Sequence, residues 1–187
     1  MNFNKEKQDF LKKPDKSLAG GIDKAILPLV NKINKSDFYY TKSSCAGRIL
    51  LMPETGKKQE NVFLAVWHDK ITFNELKKSL KNSIEKSKLT IYLKHEPCIL
   101  HVASTSLEKA IKLVNLARNS GWKKSGLISL NKNIVELVST EILAAPVADK
   151  GEIIIDDNYI KTLISEANKK LTQTRKKIKN LERNFEI

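Results

Sequence analysis

Hydrophobic and polar positions divide the chain into stretches of helical and of extended period. After Gly20-Gly21, the residues Ile22, Ala25, Ile26, Leu29, Val30 and Ile33 recur at three- and four-residue spacing. That spacing predicts an amphipathic helix, with Pro28 distorting its middle. Thr72 to Ser87 sets Phe73, Leu76, Leu80 and Ile84 on one face and lysines on the other, and Thr72 with Glu75 fits a capping box. Ser106 to Asn119 predicts a helix that buries Leu107, Ala110, Ile111, Val114 and Ala117 and ends at Gly121. From Asp156-Asp157 onward, Ile160, Ile164, Ala167, Leu171, Thr174, Ile178, Leu181 and Phe185 keep four-three spacing, a heptad seam broken by one polar residue. The first half of this last helix is expected to pack on a sheet. The second half is expected to project as a cationic arm or to pair with another chain.

Between the helices the period falls to two. Asp37 to Thr41 and Cys45 to Pro53 read as strands, Glu54 to Glu60 as a charged hairpin loop, and Asn61 to His68 as the returning antiparallel strand. Leu89, Ile91 and Leu93 alternate with polar residues over Lys88 to Lys94, and Pro97 separates this strand from Cys98 to Ser104. Ser125 to Leu130 and Asn133 to Thr140 form a pair around the tight turn Asn131-Lys132, and shorter strands follow at Ala144 to Val147 and Glu152 to Ile155. Residues 1–20 form a polar N-terminal arm anchored by Phe10 and Leu11, where Pro14 should end any short helix. The irregular alternation of hairpin-like strands and helices predicts a single α+β domain over residues 1–187, with antiparallel or mixed sheets and a long C-terminal helix. The order strand, strand, helix recurs around Thr72 and Ser106, which hints at internal duplication. None of the seven glycines forms a Gly-x-Gly-x-x-Gly cluster after a strand, so a Rossmann fold is not expected.

Composition adds a partner. Thirty-four basic against twenty-one acidic residues give a formal charge of +13, which favours an anionic partner such as nucleic acid or a membrane surface. All but Arg48, Arg118, Arg175 and Arg183 of these basic residues are lysine, so each arginine is the more informative cation. Cys45 and Cys98 stand far apart in no metal-like spacing, which argues for plain thiols in a reducing cytoplasm and against a zinc site. No run approaches the roughly 20 apolar residues of a membrane span.

Several segments carry candidate chemistry. Tyr39-Tyr40-Thr41-Lys42-Ser43-Ser44-Cys45-Ala46-Gly47-Arg48-Ile49 sets hydroxyls, a thiol and a forked guanidinium between an aromatic pair and an apolar run. It can bind a carboxylate or phosphate, or be a Ser-rich turn entering a strand. His101 lies within the apolar run Cys98 to Val102 and is the best candidate base, with His68 after Trp67 a weaker one and His95 expected to be solvated. Glu96 before Pro97 is held extended and can reach a ligand hydroxyl or amine, or hold Lys94. Trp67 and Trp122 can stack on a base or pack in the core. Gly121 to Gly126, with Trp122, Lys123, Lys124 and Ser125, reads as a phosphate-contacting loop or as a helix cap and turn. Ser139 and Thr140 can satisfy a ligand or the backbone.

Taken in order, Ser43-Ser44-Cys45-Ala46-Gly47-Arg48-Ile49, Trp67-His68, Glu96-Pro97-Cys98-Ile99-Leu100-His101-Val102, the segment from Gly121 to Gly126, Val138-Ser139-Thr140 and Ala167-Asn168-Lys169-Lys170-Leu171 resemble the tRNA wybutosine-synthesizing protein 3 family of methyltransferases. The likeness runs from about Phe10 to the last helix. The family usually has Ser at Ala46, a Lys-Gly pair near Gly20-Gly21 and Cys-Arg at Ser104-Thr105. The resemblance implies S-adenosylmethionine as cofactor and methylation at N-4 of the tricyclic guanosine derivative beside the anticodon of phenylalanine tRNA. On that reading His101 and His68 serve catalysis, while Ser43, Ser44, Cys45, Gly47, Arg48, Glu96, Ser139 and Thr140 hold the donor. Trp67, Trp122, Lys123, Lys124, Ser125, Arg175, Lys176, Lys177 and Lys179 would meet RNA. The rival is a non-catalytic tRNA-binding module. It shares the charge but needs no donor pocket.

Overall fold

The computed structural model describes residues 3–12, 22–55 and 63–185. Pro14, Gly20-Gly21, the loop beyond Thr55 and the start of the strand expected from Asn61 lie outside the described residues. In chain order the elements are α1 (Phe3–Leu11), α2 (Leu27–Lys35), β1 (Tyr39–Cys45), β2 (Arg48–Pro53), β3 (Ala65–Trp67), α3 (Phe73–Lys86), β4 (Ile91–Glu96), β5 (Ile99–Ser104), α4 (Leu107–Asn119), β6 (Gly126–Ser129), β7 (Ile134–Val138), β8 (Leu143–Asp149), β9 (Glu152–Ile153) and α5 (Asp157–Asn184). The class is α+β. Every strand pair among the described residues is antiparallel.

The chain divides into two compact units, Met1–Ala46 with Cys98–Thr140 and Thr174–Ile187, and Gly47–Pro97 with Glu141–Gln173. The first holds a four-stranded sheet in the order β1-β5-β7-β6. One face of it, carrying Leu100, Val102, Val135 and Leu137, is buried with Leu29 and Ile33 of α2, Leu113 and Ala117 of α4, and Ile178 and Leu181 of α5. On the other side α1 caps Tyr40: Phe3 and Phe10 pack on its ring, and its hydroxyl donates to Glu6 at 2.7 Å. Burial, reinforced by the Glu6 carboxylate, pushes the Tyr40 phenol well above its ordinary range, so it remains a donor.

The second unit holds a five-stranded sheet in the order β3-β2-β4-β8-β9. Ile49, Leu51, Ile91, Leu93 and Val147 of this sheet share a core with Leu76 and Leu80 of α3 and Ile160, Ala167 and Leu171 of α5. The expected capping box starts α3: the Thr72 side chain accepts from the Glu75 N–H, and the Glu75 carboxylate accepts from the Thr72 N–H. Asn168 brackets Ile71, accepting its N–H and donating to its carbonyl, each at 2.9 Å.

Four expectations need correction. Pro28 lies in the first turn of α2, where no intrahelical partner awaits the N–H it lacks, so it begins the helix and does not distort it. Leu107 and Ile111 are 44% and 52% exposed, because the buried stripe of α4 runs through Ala110, Leu113, Val114 and Ala117. The late heptad positions Ile178, Leu181 and Phe185 do not project. They are buried in the first unit's core, which leaves no apolar seam there for a second chain. Finally, β1 and β2, and likewise β4 and β5, follow one another within two or three residues yet belong to different sheets, so they are not hairpins. Gly47, at φ 83, supplies the left-handed turn between β1 and β2.

Candidate functional site

The polar groups of the first unit converge on one row across its sheet. Ser43 of β1 faces His101 of β5, His101 faces Glu136 of β7, and Glu136 faces Gly126 of β6. Strand alternation explains the row: Leu100 and Val102 go to the core face, so His101 must go to the other. The expectation of a histidine enclosed by its apolar neighbours is therefore corrected, for the His101 side chain is 31% exposed. Its Nδ1 lies 2.7 Å from the Ser43 Oγ and its Nε2 lies 3.0 Å from the Glu136 Oε1. The register of β1 shifts between Thr41 and Ser43, a bulge at Lys42 that brings Ser43 opposite His101. Sequence reasoning missed Glu136. Its outward place in the alternating run Ile134 to Val138 was visible, but its pairing with His101 was not.

In the second unit Arg48 and Glu96 are cross-strand partners on β2 and β4. The Arg48 Nε donates to Glu96 Oε2 at 2.8 Å, and the guanidinium lies 4.4 Å from the centre of the Phe63 ring. Both side chains are partly exposed, at 23% and 36%. The expectation that Glu96 holds either Lys94 or a ligand resolves into an ion pair with Arg48. A fork-shaped cation beside a carboxylate offers complementary charge to a zwitterionic α-amino acid group.

Other candidates are occupied by the protein. Trp122 is fully buried with its indole N–H donating to the Lys177 carbonyl, so its faces cannot stack on a base. Ser125 is buried, donates to the Trp122 carbonyl and accepts from the Val138 N–H, so it closes the turn and is not free for phosphate. Ser139, also buried, accepts from the Cys98 N–H, and Thr140 accepts from the Lys177 ammonium. Arg175 donates to the Ala46 carbonyl at 2.6 Å and pairs with Asp23 at 3.7 Å. Arg175 and Lys177 thus brace the fold. Lys123, Lys124, Lys176 and Lys179 are exposed. The turn bearing the first two rests on α5, where the Lys177 stem passes Gly121.

Ser44 pairs with Leu100 and Cys45 with Ile99, and neither Cys45 nor buried Cys98 forms a disulfide. Trp67 and His68 are half-buried at the end of β3, and Trp67 packs against the second unit's core. His95, expected in solvent, is buried with Nδ1 2.9 Å from the Glu141 carbonyl, because it faces inward on the central strand β4. Among the described residues no three His, Cys, Asp or Glu side chains are placed to hold a metal, and no helix is long and apolar enough to cross a membrane.

An all-antiparallel α+β fold that carries a histidine-centred polar row on the sheet face away from the core lies outside the parallel nucleotide-binding class. The family described as Methyltransferase TYW3 matches residues 5–187, and the chain belongs to that methyltransferase family. It is 35% identical to a Pyrococcus abyssi protein named tRNA(Phe) 7-((3-amino-3-carboxypropyl)-4-demethylwyosine(37)-N(4))-methyltransferase 1, covering 99% of this chain and 96% of that one. A Methanocaldococcus jannaschii protein named for the same N(4)-methyltransferase activity is 35% identical over 94% of this chain and 92% of its own. The solved structure of PH1069 protein from Pyrococcus horikoshii superposes with a TM-score of 0.85 at 33% identity, covering 97% and 93% of the two chains.

Proposed function

We propose that this chain transfers a methyl group from S-adenosylmethionine to N-4 of 7-(3-amino-3-carboxypropyl)-4-demethylwyosine at position 37 of phenylalanine tRNA, the reaction for which its full-length relatives are named. The observation that carries this reading within the chain is the half-exposed His101, hydrogen-bonded on both ring nitrogens and facing away from the core. The acceptor nitrogen must shed a proton as its new bond to carbon forms, and a positioned imidazole with a carboxylate behind it is suited to take that proton.

S-adenosylmethionine, when bound, supplies an electrophilic methyl group on a cationic sulfur. The donor set fits its amino acid end: the Arg48 fork suits the carboxylate and Glu96 suits the ammonium, both partly exposed and fixed by strand pairing and by the Phe63 ring. Lys123, Lys124, Lys176 and Lys179 supply exposed positive charge for the tRNA phosphates. The reading sets the protein in the cytoplasm, where its two thiols stay reduced.

The test is incubation of purified protein with labelled donor and phenylalanine tRNA carrying the demethylated base, followed by nucleoside mass spectrometry. Gain of one methyl group at N-4 is expected. Binding of tRNA without transfer, and without saturable heat on titration with S-adenosylmethionine, would instead identify a non-catalytic RNA-binding module.

A further inference from the structure

We infer that the acceptor's proton leaves through the Ser43 hydroxyl and reaches His101 second-hand, with Glu136 as the positioning residue that fixes this direction. The inference rests on the methyl-transfer reading above and adds the route.

The hydrogen bonds around the ring decide it. A carboxylate only accepts, so the 3.0 Å contact with Glu136 requires the hydrogen of neutral His101 to sit on Nε2. That leaves Nδ1 as the acceptor. The group facing it at 2.7 Å is the Ser43 hydroxyl, which must therefore donate. The imidazole has no lone pair left to offer an incoming substrate. Ser43 does: its hydrogen points inward, its oxygen lone pairs remain available, and the residue is exposed.

The bulge between Thr41 and Ser43 creates this arrangement, since an unbroken register would set Lys42 opposite His101. Beyond Glu136 the row ends at Gly126, where a Cβ would meet nothing within 4 Å, so the sheet surface beside the trio is open. In the transfer, the acceptor N–H proton passes to Ser43 Oγ while the Ser43 hydrogen passes to His101 Nδ1. The electron pair released on nitrogen forms the N–C bond, and the C–S pair of the sulfonium donor returns to sulfur. The positive charge created on the imidazole faces the Glu136 carboxylate. The proton then returns to solvent from the partly exposed ring.

The test begins with the free protein, so that it does not depend on the reaction. Full-length protein labelled with nitrogen-15 at histidine should show His101 chiefly as the Nε2–H tautomer, and Glu136→Ala should convert it to a mixture or to the Nδ1–H form. A wild-type ring protonated on Nδ1 overturns the inference. Ser43→Ala should keep the Nε2–H tautomer and melting temperature yet lower the methyl-transfer rate by about 10²-fold, the scale of one proton-transfer group. Ser43→Thr, which restores the hydroxyl, should recover most of that loss. Wild-type transfer by Ser43→Ala overturns the relay while leaving the methyltransferase reading intact. Failure of the unmodified protein to methylate tRNA would overturn that reading and leave the tautomer assignment standing.

Discussion

Arg48 and Glu96 face each other directly across β2 and β4, and Arg48 uses its Nε, not its terminal fork, to hold the carboxylate at 2.8 Å. The terminal nitrogens of the fork take no part in that bond, and a partly exposed ion pair of this kind adds only up to about 1 kcal/mol to stability. Arg48→Lys should weaken S-adenosylmethionine binding almost as much as Arg48→Ala, by about 10-fold or more, because a point charge cannot replace a bidentate contact. Calorimetric titration measures the affinity and a thermal melt checks the fold. Unchanged affinity with an intact fold would remove Arg48 from the donor site.

His101→Asn keeps a hydrogen-bonding side chain on the open face but abolishes proton uptake in the working range. Transfer should fall by about 10²-fold, while tRNA and donor affinities stay within a factor of about two, since the ring acts on the proton and not on binding. A variant at the wild-type rate would assign His101 to the sheet surface alone.

The cationic surface should contribute affinity without chemistry. Neutralising Lys123, Lys124, Lys176 and Lys179 together should weaken tRNA binding and flatten its dependence on salt, by roughly 0.7 to 0.9 in the log–log slope for each phosphate that the protein ceases to neutralise. Turnover at saturating tRNA should be preserved. Arg175 and Lys177 are better left out of this set, because removing them would break their hydrogen bonds with Ala46 and Thr140. An unchanged salt slope would refute the RNA role of these lysines.

Ile178 and Leu181 are buried in the first unit's core. Changing either to Ala should cost about 2–5 kcal/mol of stability through the cavity left behind. The molecular weight measured by sedimentation should be unchanged, since neither residue is free to form a seam with another chain. Loss of a dimer without loss of stability would contradict this placement.

The α3 cap should show a pH signature. Hydrogen bonds from the Thr72 hydroxyl and backbone hold the Glu75 carboxyl below its ordinary 4.5. A depressed carboxyl contributes stability that is fully present above its unfolded value and is lost as pH falls through the folded one. Thr72→Ala, which removes the N-cap, should therefore cost about 1 kcal/mol near neutral pH. The gap to the parent should narrow in thermal melts as pH falls below 4.5, and a constant gap down to acid pH would argue against the reciprocal cap.

Local physics was legible in the chain by itself. The period of apolar residues determined where α3, α4 and α5 lie, Thr72 and Glu75 determined a cap, and the absent glycine cluster excluded a parallel nucleotide fold. The family motifs pointed to His101, Ser43, Arg48 and Glu96 because unusual side chains at fixed separations can be recognised along a linear chain. Pairing between distant strands cannot. Whether Glu136 meets His101 depends on a register joining residues 35 positions apart and on a bulge one residue long, neither of which leaves a periodic trace. The same limit explains Trp122, Ser125, Arg175 and Lys177. Their side-chain chemistry suits an RNA surface, but only the packing of α5 and β7 against the turn at Gly121, and the reach of α5 side chains to Ala46 and Thr140, showed that their polar groups are engaged inside the protein. A short sequence motif records which groups are present, while tertiary contacts decide which of them remain available to a ligand.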